Sequence, residues 1–122
     1  MHSRDIQNAL KRFHLYAPIL VALADDARQK IIMDLADAGP EGINVTAITA
    51  SSALSRPAIS HHLKVLKDCG LIKSKKHGTQ VFYFLYLDEN LENLTGLISS
   101  IEVLINKAKQ DIKAREGLPI PQ

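Results

Sequence analysis

The feature that most constrains this chain is a change of hydrophobic period at Gly70. Upstream, "LSRPAISHHLKVLKDCG" carries Ile59, Leu63 and Leu66 at helical spacing, with Val65 beside them. Downstream, "LIKSKK" and "QVFYFLYL" are β-branched and aromatic runs parted by "HGT", the pattern of a hairpin. Pro57 suits the first turn of a helix, where no backbone donor is needed, and biases Arg56 out of the helical region. Gly70 suits a left-handed C-terminal cap. Residues 54–87 are therefore a short basic helix that stops sharply and is followed at once by a lysine-tipped hairpin.

The flanking sequence reads as helical. Ile6, Leu10, Phe13 and Ala17 predict an amphipathic helix over 4–16, which Pro18 is expected to break before a short second piece. Asp25 can cap a helix running to Ala38, with Ala27, Ile31, Leu35 and Ala38 on its inner face. "GPEG" predicts a loop and "INV" a short extended piece, and Thr46 can cap a helix through about Ala53. Asp88 or Asn90 begins a long final helix to about residue 115. There Leu91, Leu94, Ile98, Ile101, Ile105, Ala108 and Ile112 form a heptad seam, widened by Leu97 and Leu104. "GLPIPQ" reads as a helix stop and a loose tail.

At 122 residues, with 46% apolar and 23% charged residues, the composition fits one soluble globular domain. The single cysteine, Cys69, cannot form an internal disulfide, which suits a reducing compartment. The N-terminus lacks the apolar core of a signal peptide, and the longest apolar run, "VFYFLYL", is too short for a membrane helix. A cytoplasmic protein without a membrane partner is the expectation. The net charge of +2 is unevenly placed: between Ser55 and Gln80, Arg56, Lys64, Lys67, Lys73, Lys75 and Lys76 stand against Asp68 alone. That segment carries +5 and the remainder −3. A mildly acidic body with one basic segment is the pattern of a polyanion-binding face.

Two helices joined by a tight turn, the second basic and followed by a hairpin, make a winged helix-turn-helix. The fold class is thus mainly α with a small β-hairpin wing, in a single domain over 1–122 with a core at 20–87. In the second helix the inner face is apolar, leaving Arg56, Ala58, Ser60, His61 and Lys64 to face outward. Arginine can bond a guanine edge, serine a base or phosphate, and lysine a phosphate.

The stretch "LADDARQKIIMDLADAG…VTAITASSALSRPAISHHLKVLKDCGLIKSKKHGTQVFYFL" resembles the ArsR family of bacterial winged-helix repressors over about residues 20–87. The resemblance implies a homodimer that binds double-stranded DNA at a two-fold operator and represses until an effector arrives. On the matched positions it implies Ser55, Arg56, Pro57, Ala58, Ser60, His61 and His62 at or near the groove, with Lys64 beside them. Lys75, Lys76, His77 and Gly78 would form the wing tip. It also implies a dimer interface of first and last helices, 4–16 and 89–115, built on Ile6, Leu10, Phe13, Leu91, Leu94, Ile98, Ile101 and Ile105.

The family's metal sites are not matched. A cysteine box would lie where this chain has "GINVTAITA", and the last helix offers Asp88, Glu89, Glu92 and Glu102 but no histidine. His61 and His62 point about 100° apart on a helix and do not readily grip one ion; they are expected to contact DNA or pack against the neighbouring helix. No metal and no cofactor are therefore expected, and the effector stays unidentified. Cys69 reads as a small, partly buried side chain without a partner for a redox pair. No phosphate loop or nucleophile elbow is present, and Ser60 beside His61 is no dyad, so an enzyme is not expected. Two alternatives stay open: a winged-helix module that binds protein rather than DNA, and a metal- or thiol-responsive repressor with an atypical site.

Overall fold

The computed structural model describes residues 3–117. Its elements in chain order are α1 (Ser3–Leu23), α2 (Asp26–Ala38), a 3-10 turn (Gly39–Glu41), β1 (Ile43–Asn44), α3 (Val45–Ala50), α4 (Arg56–Asp68), β2 (Ile72–His77), β3 (Gln80–Leu85) and α5 (Asp88–Glu116). They fall into two compact units, residues 17–91 and a second built from residues up to Tyr16 with those from Glu92 onward.

In the 17–91 unit, Ile31 and Leu35 of α2, Ile48 of α3, and Ile59, Leu63 and Leu66 of α4 are buried, together with Ile19, Ala22, Leu71 and Ile72. Truncating such a side chain to alanine costs about 2–5 kcal/mol, so these positions hold α4 in place. β2 and β3 pair antiparallel from Ile72↔Leu85 to His77↔Gln80, with Gly78 at φ 67° opening a two-residue turn. β1 adds on the other side of β3 through Ile43↔Tyr83 and Asn44↔Phe82, giving the order β1-β3-β2. The wing is therefore pinned to the helical body along its second strand.

The second unit consists of the start of α1 and most of α5. Its pairings run in opposite directions along the two helices. Lys107 pairs with Asp5, and the Tyr16 hydroxyl donates to Asn93 Oδ1 at 3.3 Å. Ala9 and Leu97 are its buried apolar residues.

Three expectations are corrected. The helix predicted over 4–16 does not break at Pro18: α1 continues to Leu23 with Pro18 inside it. Proline removes one ladder bond, but Ile19 and Ala22, both buried just beyond, reward continuation. The cap of α3 is Asn44, whose side chain accepts from the Ala47 N–H at 2.9 Å, rather than Thr46. Arg56, expected outside the helix, is the first helical residue of α4. Asp25 caps α2 as predicted, and of the two starts open for the last helix, Asp88 and Asn90, α5 begins at Asp88. The tail beyond Gly117 lies outside the described residues.

Candidate nucleic-acid interface

The recognition element is set at both ends by its own sequence. Ser55 is the N-cap of α4, its Oγ accepting from the Ala58 N–H at 3.3 Å, and Pro57 occupies the first turn. At the other end Gly70, at φ 81°, donates to the Lys67 carbonyl while Leu71 donates to the Leu66 carbonyl, both at 3.0 Å. This paired closure satisfies two carbonyls that the helix leaves open. Asn90 adds a side-chain bond to the Gly70 carbonyl.

With Ile59, Leu63 and Leu66 buried, the opposite side of α4 carries Pro57, Ser60, His61 and Lys64, all exposed. Ala58 is half-buried at the edge of this face. Arg56 is exposed beside it and reaches Thr46 Oγ1 at 3.4 Å, which joins the start of α4 to α3. Lys64 is exposed and forms an i,i+4 pair with Asp68 at 2.7 Å. Pairs of this kind are worth only about 0.3–0.5 kcal/mol, so Lys64 is free to exchange its partner.

His62 is turned away from that face. It is half-buried, and its Nδ1 lies 3.2 Å from Arg28 Nη1. The same guanidinium donates to the carbonyls of Ala22 at 2.9 Å and Val21 at 3.3 Å. Arg28 thus ties the last carbonyls of α1 to the middle of α4. Sequence reasoning missed it; the only signal was its place three residues after the capping Asp25. The Arg28 backbone N–H donates to Asp25 Oδ1 at 3.1 Å and holds that carboxyl below its ordinary value. His61 stays outside, its ring tilted 58° from that of His62.

At the wing, Lys75, Lys76, His77 and Gly78 are all exposed, as is Thr79 at the tip. Their side chains differ in freedom. Lys75 Nζ donates to the Pro40 carbonyl at 3.0 Å and leans toward the Phe84 ring. Lys73 Nζ sits 3.6 Å over the Tyr86 ring, and Lys67 Nζ bonds Ser74 Oγ at 2.9 Å. The His77 ring meets Phe82 edge-on. Among the described residues, Lys76 is the one basic side chain of the segment that makes no hydrogen bond, ion pair or ring contact.

This arrangement, a solvent-facing polar helix beside an exposed basic wing, is that of a winged helix-turn-helix. The sequence profile described as "Bacterial regulatory protein, arsR family" matches residues 25–74. An HTH-type transcriptional regulator of Methanocaldococcus jannaschii is 30% identical over 92 residues, covering 75% of this chain and 100% of that protein. The chain belongs to the arsR family. The transcriptional repressor SdpR of Bacillus subtilis is 33% identical over 90 residues, covering 72% of this chain and 87% of that one. The solved structure of an ArsR-like transcriptional regulator from Rhodococcus sp. RHA1 has a TM-score of 0.77 at 25% identity, covering 90% of this chain and 98% of that one. This member of the family is a transcriptional regulator of the DNA-binding repressor type, and the relatives it matches are regulators rather than enzymes.

Two further features bear on the regulator. Among the described residues no three His, Cys, Asp or Glu side chains gather as a metal site, and no helix is long and apolar enough to cross a membrane. Cys69 is half-buried, its Sγ 3.4 Å from the Leu66 carbonyl, and burial pushes its thiol up. A raised thiol is a poor nucleophile at neutral pH.

Proposed function

We propose that this ArsR-family regulator is a cytoplasmic homodimer that represses transcription by placing α4 in the major groove of each half of a two-fold operator. The observation that carries this reading is the shared exposure of Ser60, His61 and Lys64 on one side of α4 and of Lys76, His77 and Gly78 at the wing tip. Ser60, His61 and Arg56 supply donors and acceptors for base edges, and Lys64 and Lys76 supply phosphate contacts. Ser55, Pro57 and Ala58 shape the start of the helix. His62, held by Arg28, orients it from behind. Lys75 acts as a tether to the body that can still be recruited to a phosphate.

The homodimer is supported by the apolar faces of α1 and α5. Leu10 is 52% exposed and Ile98 55%, with Ile6, Phe13, Leu91 and Ile105 also exposed and Leu94 and Ile101 half-buried beside them. An apolar stripe of this length on paired helices has the character of an interface rather than of a solvated surface. The dimer matters for function because it fixes the separation of the two recognition helices.

The effector of this reading is not a metal ion, since neither the loop before α3 nor α5 offers thiolate or imidazole ligands. The test is selection of fragments from the source genome, followed by binding isotherms at several salt concentrations. An imperfect palindrome bound by two chains with a steep salt slope is the expected outcome. Weak, sequence-blind binding would instead favour a winged-helix module serving a protein partner.

A further inference from the structure

The two helices of the second unit have two unlike sides. At about 100° per residue, Asn8, Arg12 and Leu15 lie together on the side of α1 opposite Ile6, Leu10 and Phe13. On α5, Glu92 and Gly96 lie opposite Leu94, Ile98 and Ile101. One side is apolar and suited to a second copy of the chain. The other is an open groove of about 550 Å³ whose polar lining includes Asn8, Lys11, Arg12, Tyr16, Glu92 and Asn93.

The groove holds more donors than acceptors. Neither Lys11 nor Arg12 has a hydrogen-bond or ion-pair partner among the described residues. Asn93 uses its Oδ1 to accept from the Tyr16 hydroxyl at 3.3 Å, which leaves its amide N–H groups to donate. Glu92 is the single carboxylate against two cations. Gly96 is the second distinctive feature. A glycine inside a helix lowers its stability, yet here it makes room: a Cβ at this position would lie 2.6 Å from Arg12 Nη1. The Nη1 end of the guanidinium therefore occupies the space over Gly96 that a side chain there would need.

We propose that this groove is a binding site for a small carboxylate ligand. Arg12 holds the carboxylate through its planar fork, Lys11 and Asn93 complete the donor set, and Leu15 lies against an apolar stem. Carboxylate matches the geometry of a guanidinium pair, and the volume lies in the range of small-molecule sites. Binding here stands independently of the DNA and dimer readings. If both hold, the site lies on the helices that set half-site spacing, so a ligand that favours one dimer geometry would alter operator affinity by linkage.

The probe is sodium benzoate, titrated into the full-length protein against sodium chloride at matched ionic strength, with NMR of the Arg12 Nε–H and Asn93 side-chain amide. Saturable shifts beyond those given by chloride are expected. Arg12→Gln should weaken binding about tenfold or more, as loss of a charge-assisted hydrogen bond does. Glu92→Gln should tighten it. Gly96→Ala is a second variant, because alanine favours the helix while its methyl obliges Arg12 Nη1 to shift from its place over α5. It should fold at least as stably and bind benzoate more weakly. Shifts no larger than those with chloride, or equal affinity in wild type, Arg12→Gln and Gly96→Ala, would overturn the proposal.

Discussion

Replacing Gly42 with alanine should be among the most damaging single-methyl changes in this regulator, and Gly78→Ala is its internal control. Gly42 adopts φ 80° and ψ −178°, a combination almost confined to glycine that costs other residues about 1–3 kcal/mol. A Cβ there would also lie 2.7 Å from the Tyr83 carbonyl oxygen and 3.3 Å from Phe82 Cβ. Tyr83 and Phe82 belong to β3, the central strand, bonded on both sides. The strand has nowhere to retreat, and overpacking of this kind adds about 1–3 kcal/mol. The sum, about 2–6 kcal/mol, is a large share of the total expected for a domain of this size. Gly78 also has positive φ, at 67°, but nothing lies within 4 Å of its added methyl, so Gly78→Ala should cost only the left-handed strain of about 1–2 kcal/mol. Urea unfolding of the three proteins, with m held in common, reads the difference directly. A gap of at least about 1 kcal/mol between the two variants is expected. Equal stabilities would show that the contact between β1 and β3 yields freely, and that the wing is not pinned as described.

Lys76→Ala should lower the salt slope of operator binding by about 1 per half-site, and Lys75→Ala by less, because Lys75 is held by Pro40; equal slopes would contradict the distinction. Ile98→Asp should turn a dimer into a monomer in sedimentation, with little loss of secondary structure, since Ile98 is 55% exposed within one chain. Asp25 has its folded pKa lowered below 3.8, chiefly by the Arg28 N–H. Its contribution is therefore complete above that value and lost as the pH falls through the lower folded value. Asp25→Asn keeps the cap but does not titrate, so unfolding profiles below pH 4 should be flatter than wild type.

The parts of this fold legible in the sequence were those controlled by neighbours along the chain. Ser55, Pro57 and Gly70 set the ends of α4 through local geometry, and they lie where their chemistry requires. Pro18 shows the limit. Its local rule demands a break, but burial of Ile19 and Ala22 outweighs one missing hydrogen bond. Asn44 and Thr46 are both competent caps, and the choice was made by pairing of Asn44 with Phe82, which sets where the chain leaves the sheet. His62 is a subtler case. It adjoins Leu63 on the inward side of a 3.6-residue period, yet its partner Arg28 lies 34 positions away, and no local pattern announces such a contact.

The charge count needs a similar correction from geometry, and the correction strengthens the DNA-binding reading. Of the six basic side chains between Ser55 and Gln80, Lys64 is the one paired with a carboxylate among the described residues. Lys67, Lys73 and Lys75 are held by a hydroxyl, an aromatic ring and a backbone carbonyl, and Arg56 reaches a threonine hydroxyl. Such neutral partners position a cation without cancelling its charge. The field over the wing and α4 thus remains that of a +5 segment. Exchanging a neutral partner for a phosphate gives up one weak hydrogen bond and gains a charge-assisted one. A surface built this way attracts a polyanion at long range and orders its donors before contact, whereas carboxylate partners on the same side chains would cancel that field.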